Sequence, residues 1–355
     1  MPNIIYTLIL SMLIDLSFKA IQSFSSSIQP MKDSLQSYYD FCESNSFEYI
    51  LLANSNKLQS PTQAQLQNER FIYDNLKQDI LQLTRLSTVK FRCGITEINL
   101  SIYHKEESIE LFVSYILKTI AFIVNIGHHT ISTLDITMYL LDSKRVFDGD
   151  TLFDKEEVNG GSCFSTDTTA KITVWRKEEI LKVTIHELIH ALNYDYKSDT
   201  PEIVNHYQQK YSIISPKMNT FEAYTEIHAE LIHSYLLAYW TDGPTLDMFQ
   251  ANVCLEREFS RFQASKVLSL KNKDMNRETN VCAYYIITTE LYNNLASFLQ
   301  FCKNTNESMI RITHLTKYLT YLKKLKKVNN KKYKLSKLFY QTTRMTCLEL
   351  NLFRE

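Results

Sequence analysis

The rhythm of apolar and polar positions changes along the 355-residue chain, and each change predicts an element. From Phe71 to Leu86 (FIYDNLKQDILQLTRL) apolar residues recur at helical spacing, whereas Ile95–Tyr103 (ITEINLSIY) alternates like a half-buried strand. Glu107–Ile126 is apolar on nearly every side and predicts a buried helix. Thr133–Asp142 and Ala170–Arg176 return to strand alternation, rich in β-branched residues. A helix follows at once. Its opening RKEEI puts Glu178 and Glu179 in the expected first turn, at the positive end of the helix dipole. Beyond Pro201 only helices are predicted, over Phe221–Trp240, Leu246–Leu268 and Asn280–Phe301.

Upstream of these elements, two polar stretches, Gln22–Pro30 and Asn54–Glu69, read as connections around a helical piece at 31–53. The expected organisation is a helical N-terminal segment (1–69), a sheet-containing domain (70–240) and a helical C-terminal subdomain (241–355). Six glycines and six prolines leave few chain breakers, so the expected fold class is α+β, predominantly helical, with a small mixed sheet. Ile4–Ile14 is apolar enough for a signal-peptide core but too short to span a membrane. Asp15 interrupts it and no basic flank precedes it, so it reads as an ordinary first helix, with a secretory signal as the alternative.

Lysine plus arginine equals aspartate plus glutamate, 39 each, so no global field steers the chain toward nucleic acid or anionic lipid. Seven scattered cysteines without a CxxC pair exclude a disulfide framework and a cysteine-ligated zinc, and favour an intracellular, cytoplasmic setting. Lys317–Lys337 is the local exception to the charge balance, with nine lysines and no acid. A solvated face is the simpler reading of that stretch; contact with nucleic acid or an anionic membrane is the alternative.

The chemistry concentrates in KVTIHELIHALNYD, Lys182–Asp195. His186 and His190 lie four residues apart, on one helical face, so their imidazoles approach one ion from the same side. Glu187 points about 100° round the helix, where it reaches a water beside the ion without competing as a ligand. Apolar flanks predict that the helix is buried, and burying two imidazoles and a carboxylate without partners is costly. A third ligand is needed. Asn193 and Tyr196 stand where the extended HExxHxxGxxH pattern requires glycine and histidine, which excludes that arrangement, and Asp195 is one residue short of the last ligand position. Downstream, Glu222, Glu226, Glu230 and His233 form a polar stripe on a helix with no lysine or arginine between Asn219 and Trp240. A cation would relieve the repulsion between these carboxylates; a solvated helix face is the simpler reading.

HELIH followed by FEAYTE resembles the gluzincin group of zinc metallopeptidases, which includes thermolysin-like proteases and the large aminopeptidases. The resemblance covers Ile95–Trp240. It implies a zincin-like core in the 70–240 domain, one zinc held by His186, His190 and Glu222, and Glu226 orienting a ligating histidine. It further implies peptide-bond hydrolysis with Glu187 as general base, and a substrate strand paired to an edge strand at Ala170–Arg176, with Gly160-Gly161 nearby. His206, Tyr224, His228 and His233 are the candidates for stabilising the oxyanion. The sequence departs from the group in its 31-residue spacer between His190 and Glu222 and in Glu226, where aspartate is commoner. Its low-glycine, AT-biased composition is similar to that of metallopeptidases of large DNA viruses. The alternative is a catalytically silent zincin-type structural or interaction protein.

Overall fold

The structure, a computed structural model, describes residues 13–25, 32–67, 69–147, 153, 155–270 and 279–353. Most of the apolar N-terminal run therefore lies outside the described residues, as do 26–30 of the first polar connection. The chain is α+β and forms two compact units. One takes 45–144 and 159–194; the other takes the described residues of 1–44, 145–158 and 195–354. These are not the three consecutive segments expected. The reason lies in the chain path: it leaves the first unit after Lys144 and re-enters it at Asn159, a detour invisible to composition.

The first unit is built on a six-stranded mixed sheet. Its strands are β1 (Ile50–Leu58), β2 (Arg85–Cys93), β3 (Thr96–His104), β4 (Thr133–Tyr139), β5 (Gly161–Ser165) and β6 (Thr169–Val174), in the order β1-β2-β3-β4-β6-β5. β3, β4 and β6 run parallel, and the other pairings are antiparallel. Gly94 takes the positive φ that the tight β2–β3 turn needs. The alternation read at Ile95–Tyr103 is borne out, with Ile98, Leu100 and Ile102 all buried. The helix Glu110–Asn125 connects β3 to β4 and buries Phe112, Ile116, Ile120 and Ile123.

Three strands escaped the pattern. All nine residues of β1 are exposed, so neither face gives an alternating signal, and its polar second half Asn54–Leu58 reads as linker. β2 buries Leu86, Val89, Phe91 and Cys93 but carries charges between them, and β5 is five residues long and starts with glycine. β5 changes the reading of β6: Ala170–Arg176 is no edge, because β6 is paired on one side to β4 and on the other to β5.

The other unit has helices and isolated bridges but no strand among its described residues. Helices Thr220–Asp242 and Leu246–Ser269 pack on each other, joined through Gly243 at φ 80°, with Thr245 accepting from the Met248 amide. The single helix expected over Asn280–Phe301 is divided into a π-helical turn, Cys282–Ile287, and helices Thr288–Asn293 and Leu295–Thr305. The Thr288 amide and hydroxyl both reach back five residues to the Ala283 carbonyl, which widens that turn. No described helix is long and apolar enough to cross a membrane.

Candidate metal centre

The histidine helix spans Ile180–Ala191, and all but one of its residues are buried, the exception being the half-buried His190. It packs on β5, β6 and the helix Glu110–Asn125. It begins after the two glutamates, not on them: Glu179 sits in the left-handed region at φ 58°, and the Ile180 amide closes a turn on the Lys177 carbonyl. Four-residue spacing then does what the motif requires. His186 Nε2 and His190 Nε2 stand 3.1 Å apart with their rings nearly perpendicular, so both nitrogens face one small volume. His186 and Glu187 are buried, at 6% and 7% exposed.

Gly161 explains how Glu187 fits beside the sheet. A Cβ at Gly161 would lie 2.7 Å from Glu187 Oε1, 2.8 Å from its Cγ and 2.8 Å from Val183 Cγ1. Only a residue without a side chain lets the β5 backbone pass this close to the carboxylate. The Gly-Gly pair was visible in the sequence, but its contact with Glu187 depends on β5, which was not.

Glu222 lies in the first turn of the helix Thr220–Asp242. Both of its carboxylate oxygens are held within its own unit: Asn280 Nδ2 donates to Oε1 and the Tyr284 hydroxyl to Oε2, each at 3.1 Å. Asn280 is fixed in turn by Asn219, whose amide donates to Asn280 Oδ1 at 2.6 Å. Tyr284 belongs to the π-helical turn, a feature that often marks functional positions. Asp199 secures the start of the helix, accepting from the Thr220 amide at 2.9 Å and from its hydroxyl at 2.6 Å. Burial pushes the Asp199 carboxyl up, against the lowering effect of those donors. Asn280, Tyr284 and Asp199 went unread because no local pattern links them to a glutamate tens of residues away.

The stripe beyond Glu222 is not a solvated face. Glu226, Glu230 and His233 are all buried, and the pKa of the buried Tyr292 hydroxyl is pushed up by burial first, then by Glu230 and Glu256, and last by Glu226. Two of the oxyanion candidates are fully engaged inside the bundle. His228 has Tyr38 Oη 3.0 Å from Nδ1 and Cys302 Sγ 3.8 Å from Nε2, and burial lowers its pKa to about 3. The Tyr224 hydroxyl donates to the Ile310 carbonyl at 2.8 Å and accepts from Asn306 at 2.6 Å. His206 packs edge-on against Tyr207, with its pKa lowered by burial and then by Lys210 and Lys323.

Comparison with known proteins gives a 29% identical match over 107 residues to an uncharacterized protein of Acanthamoeba polyphaga mimivirus. The match covers 29% of this chain and 27% of that protein, so about a quarter of the relative's length is spanned. No protein-family model matches the chain, and no solved structure does.

Proposed function

We propose that the protein is a zinc-dependent metallopeptidase with a zincin-like core, its metal held by His186, His190 and Glu222. One observation carries this reading: His186 Nε2 and His190 Nε2 stand 3.1 Å apart on one buried helix, with Glu187 beside them. Two neutral imidazoles and a carboxylate are the donor set of open, catalytic zinc sites. A metal held by them supplies Lewis acidity toward a water and a scissile carbonyl. The remaining chemistry belongs to the chain. Glu187 accepts the proton of the attacking water and delivers it to the leaving amine nitrogen. Gly161 keeps β5 out of the volume that its carboxylate needs. Asn280 and Tyr284 hold Glu222 in one orientation, a support that fixes a ligand before the metal arrives. In this reading β5, the outer strand of the sheet, receives an extended substrate in place of β6.

The test combines metal analysis with turnover on a peptide library. Purified protein should carry close to one zinc per chain, and Glu187→Gln should keep the zinc while losing turnover. Zinc-free protein that does not take the metal up, or a Glu187→Gln variant as active as wild type, overturns the proposal.

A further inference from the structure

The lysine-rich stretch set aside in the sequence forms one wall of a groove in the helical unit. This groove, of about 520 Å³, is lined by Arg261, Lys326, Lys327 and Lys331 with one carboxylate, Glu258. That carboxylate is already committed, lying 2.5 Å from Arg261 Nη1 and 3.6 Å from Arg257 Nε. Among the described residues, none of the three groove lysines has an acidic partner within ion-pair distance. Two of them face aromatic rings: Lys327 Nζ lies over the Tyr211 ring and Lys331 Nζ over Tyr333, each at 5.1 Å from the centroid. A protein with no net charge thus concentrates unneutralised cations in one concave place.

The wall is built, although it has no regular secondary structure. Lys210 Nζ donates to the Leu325 carbonyl at 2.8 Å, the Val328 amide donates to the Tyr211 hydroxyl at 2.7 Å, and the Lys331 amide donates to Ser265 Oγ at 3.2 Å. Lys210 is fixed by the buried Glu290 at 2.6 Å. These anchors set where the three lysines leave the backbone, so the charges do not belong to a loose basic tail.

We propose that this groove binds the phosphodiester backbone of single-stranded nucleic acid. Lysine ammonium groups serve as point charges for phosphates, and the side-chain NH2 groups of Asn293 and Asn329 in the same lining suit base and sugar edges. A concave trough suits a single strand better than a duplex, which needs a protruding element to enter its grooves. An anionic membrane is the weaker match, because the one aliphatic residue of the lining, Val328, is buried and offers no apolar anchor. Recognition dominated by charge is tolerant of sequence and sensitive to salt.

The experiment uses the full chain and the fluorescence anisotropy of fluorescein-labelled 20-mers of dT and of U, titrated from 50 to 200 mM salt. Three phosphate contacts to a single strand give a log–log salt slope of about −2, a loss of roughly 20-fold over that range. Lys326→Gln, Lys327→Gln and Lys331→Gln together should weaken binding at least ~10-fold and flatten the slope. The matched triple Lys332→Gln, Lys334→Gln and Lys337→Gln, from the same stretch but outside the groove, should stay within ~3-fold of wild type. Tighter binding of U than of dT assigns the ligand to RNA, and equal binding to single strands of either kind. Equal losses in the two triples, a preference for duplex, or equal capture by phosphatidylserine vesicles overturns the proposal. All six side chains are exposed, so thermal melting of both triples should match wild type and keep the comparison valid.

Discussion

The two helices that carry the proposed ligands obtain their geometry in different ways. In Ile180–Ala191, helical periodicity alone brings His186 Nε2 and His190 Nε2 to 3.1 Å. In Thr220–Asp242, periodicity aligns Glu222, Glu226, Glu230 and His233 equally well, yet their surroundings separate them. Glu222 is half-buried and held by Asn280 and Tyr284, whereas the other three are buried. A pair of ligands one turn apart is a local property. A single glutamate becomes a ligand candidate only through the groups that orient it, and those come from elsewhere in the chain.

Breaking the local element should have the largest effect. His186→Ala or His190→Ala removes one of the three proposed donors and should lower zinc retention by more than ~100-fold, read by metal content after dialysis against a chelator. Glu187→Gln should reduce turnover by roughly 10²–10⁴ at unchanged zinc content. If the histidine variants keep their zinc, the histidine helix is not the metal site and the contrast between the helices disappears.

The oriented element should respond less. Tyr284→Phe and Asn280→Ala each remove one hydrogen bond to Glu222, and each should weaken zinc binding about 10-fold to 100-fold in chelator competition. A change below about twofold for both would mean that Glu222 needs no outside support. Gly161→Ala tests the sheet side of the histidine helix. The added methyl meets Glu187 and Val183, so turnover should fall while zinc content holds, with stability lowered by about 1–3 kcal/mol by overpacking.

The smallest expected effect concerns pH and stability, with no role for the metal. Burial holds His228 neutral, with its pKa lowered to about 3. Below its ordinary value near 6.5 the unfolded chain gains a proton that the folded chain refuses. Its contribution is therefore complete above about pH 6.5 and is lost progressively toward pH 3, by about 2 kcal/mol at pH 5. The stability change between pH 7 and 5 in denaturant melts of wild type and His228→Gln should differ by that amount, whereas zinc content should be the same in the two proteins at each pH. An equal pH slope in the two proteins would show that His228 titrates normally.

Much of this was legible in the residues. β3, β4 and β6, the buried helix between β3 and β4, and the absence of strands among the described residues beyond Pro201 all follow from periodicity. Where periodicity is erased, the reading failed. β1 is exposed on both faces and mimics a linker, and β5 is too short to show an alternation. Missing β5 had a consequence, since it made β6 look like an edge and hid the contact between Gly161 and Glu187. Charge followed the same rule. Nine lysines were countable between Lys317 and Lys337, but which of them share a groove depends on anchors in Tyr211, Lys210 and Ser265.

By itself the sequence determined the histidine pair, its glutamate, the burial of their helix and the α+β class, because each depends on spacing within one element. The tertiary structure decided the rest: which strand forms the edge, which glutamate is oriented by Asn280 and Tyr284, and which histidine lies sealed against Tyr38 and Cys302. Those depend on contacts between residues far apart in the chain, and such contacts leave no periodic trace in the segments that make them.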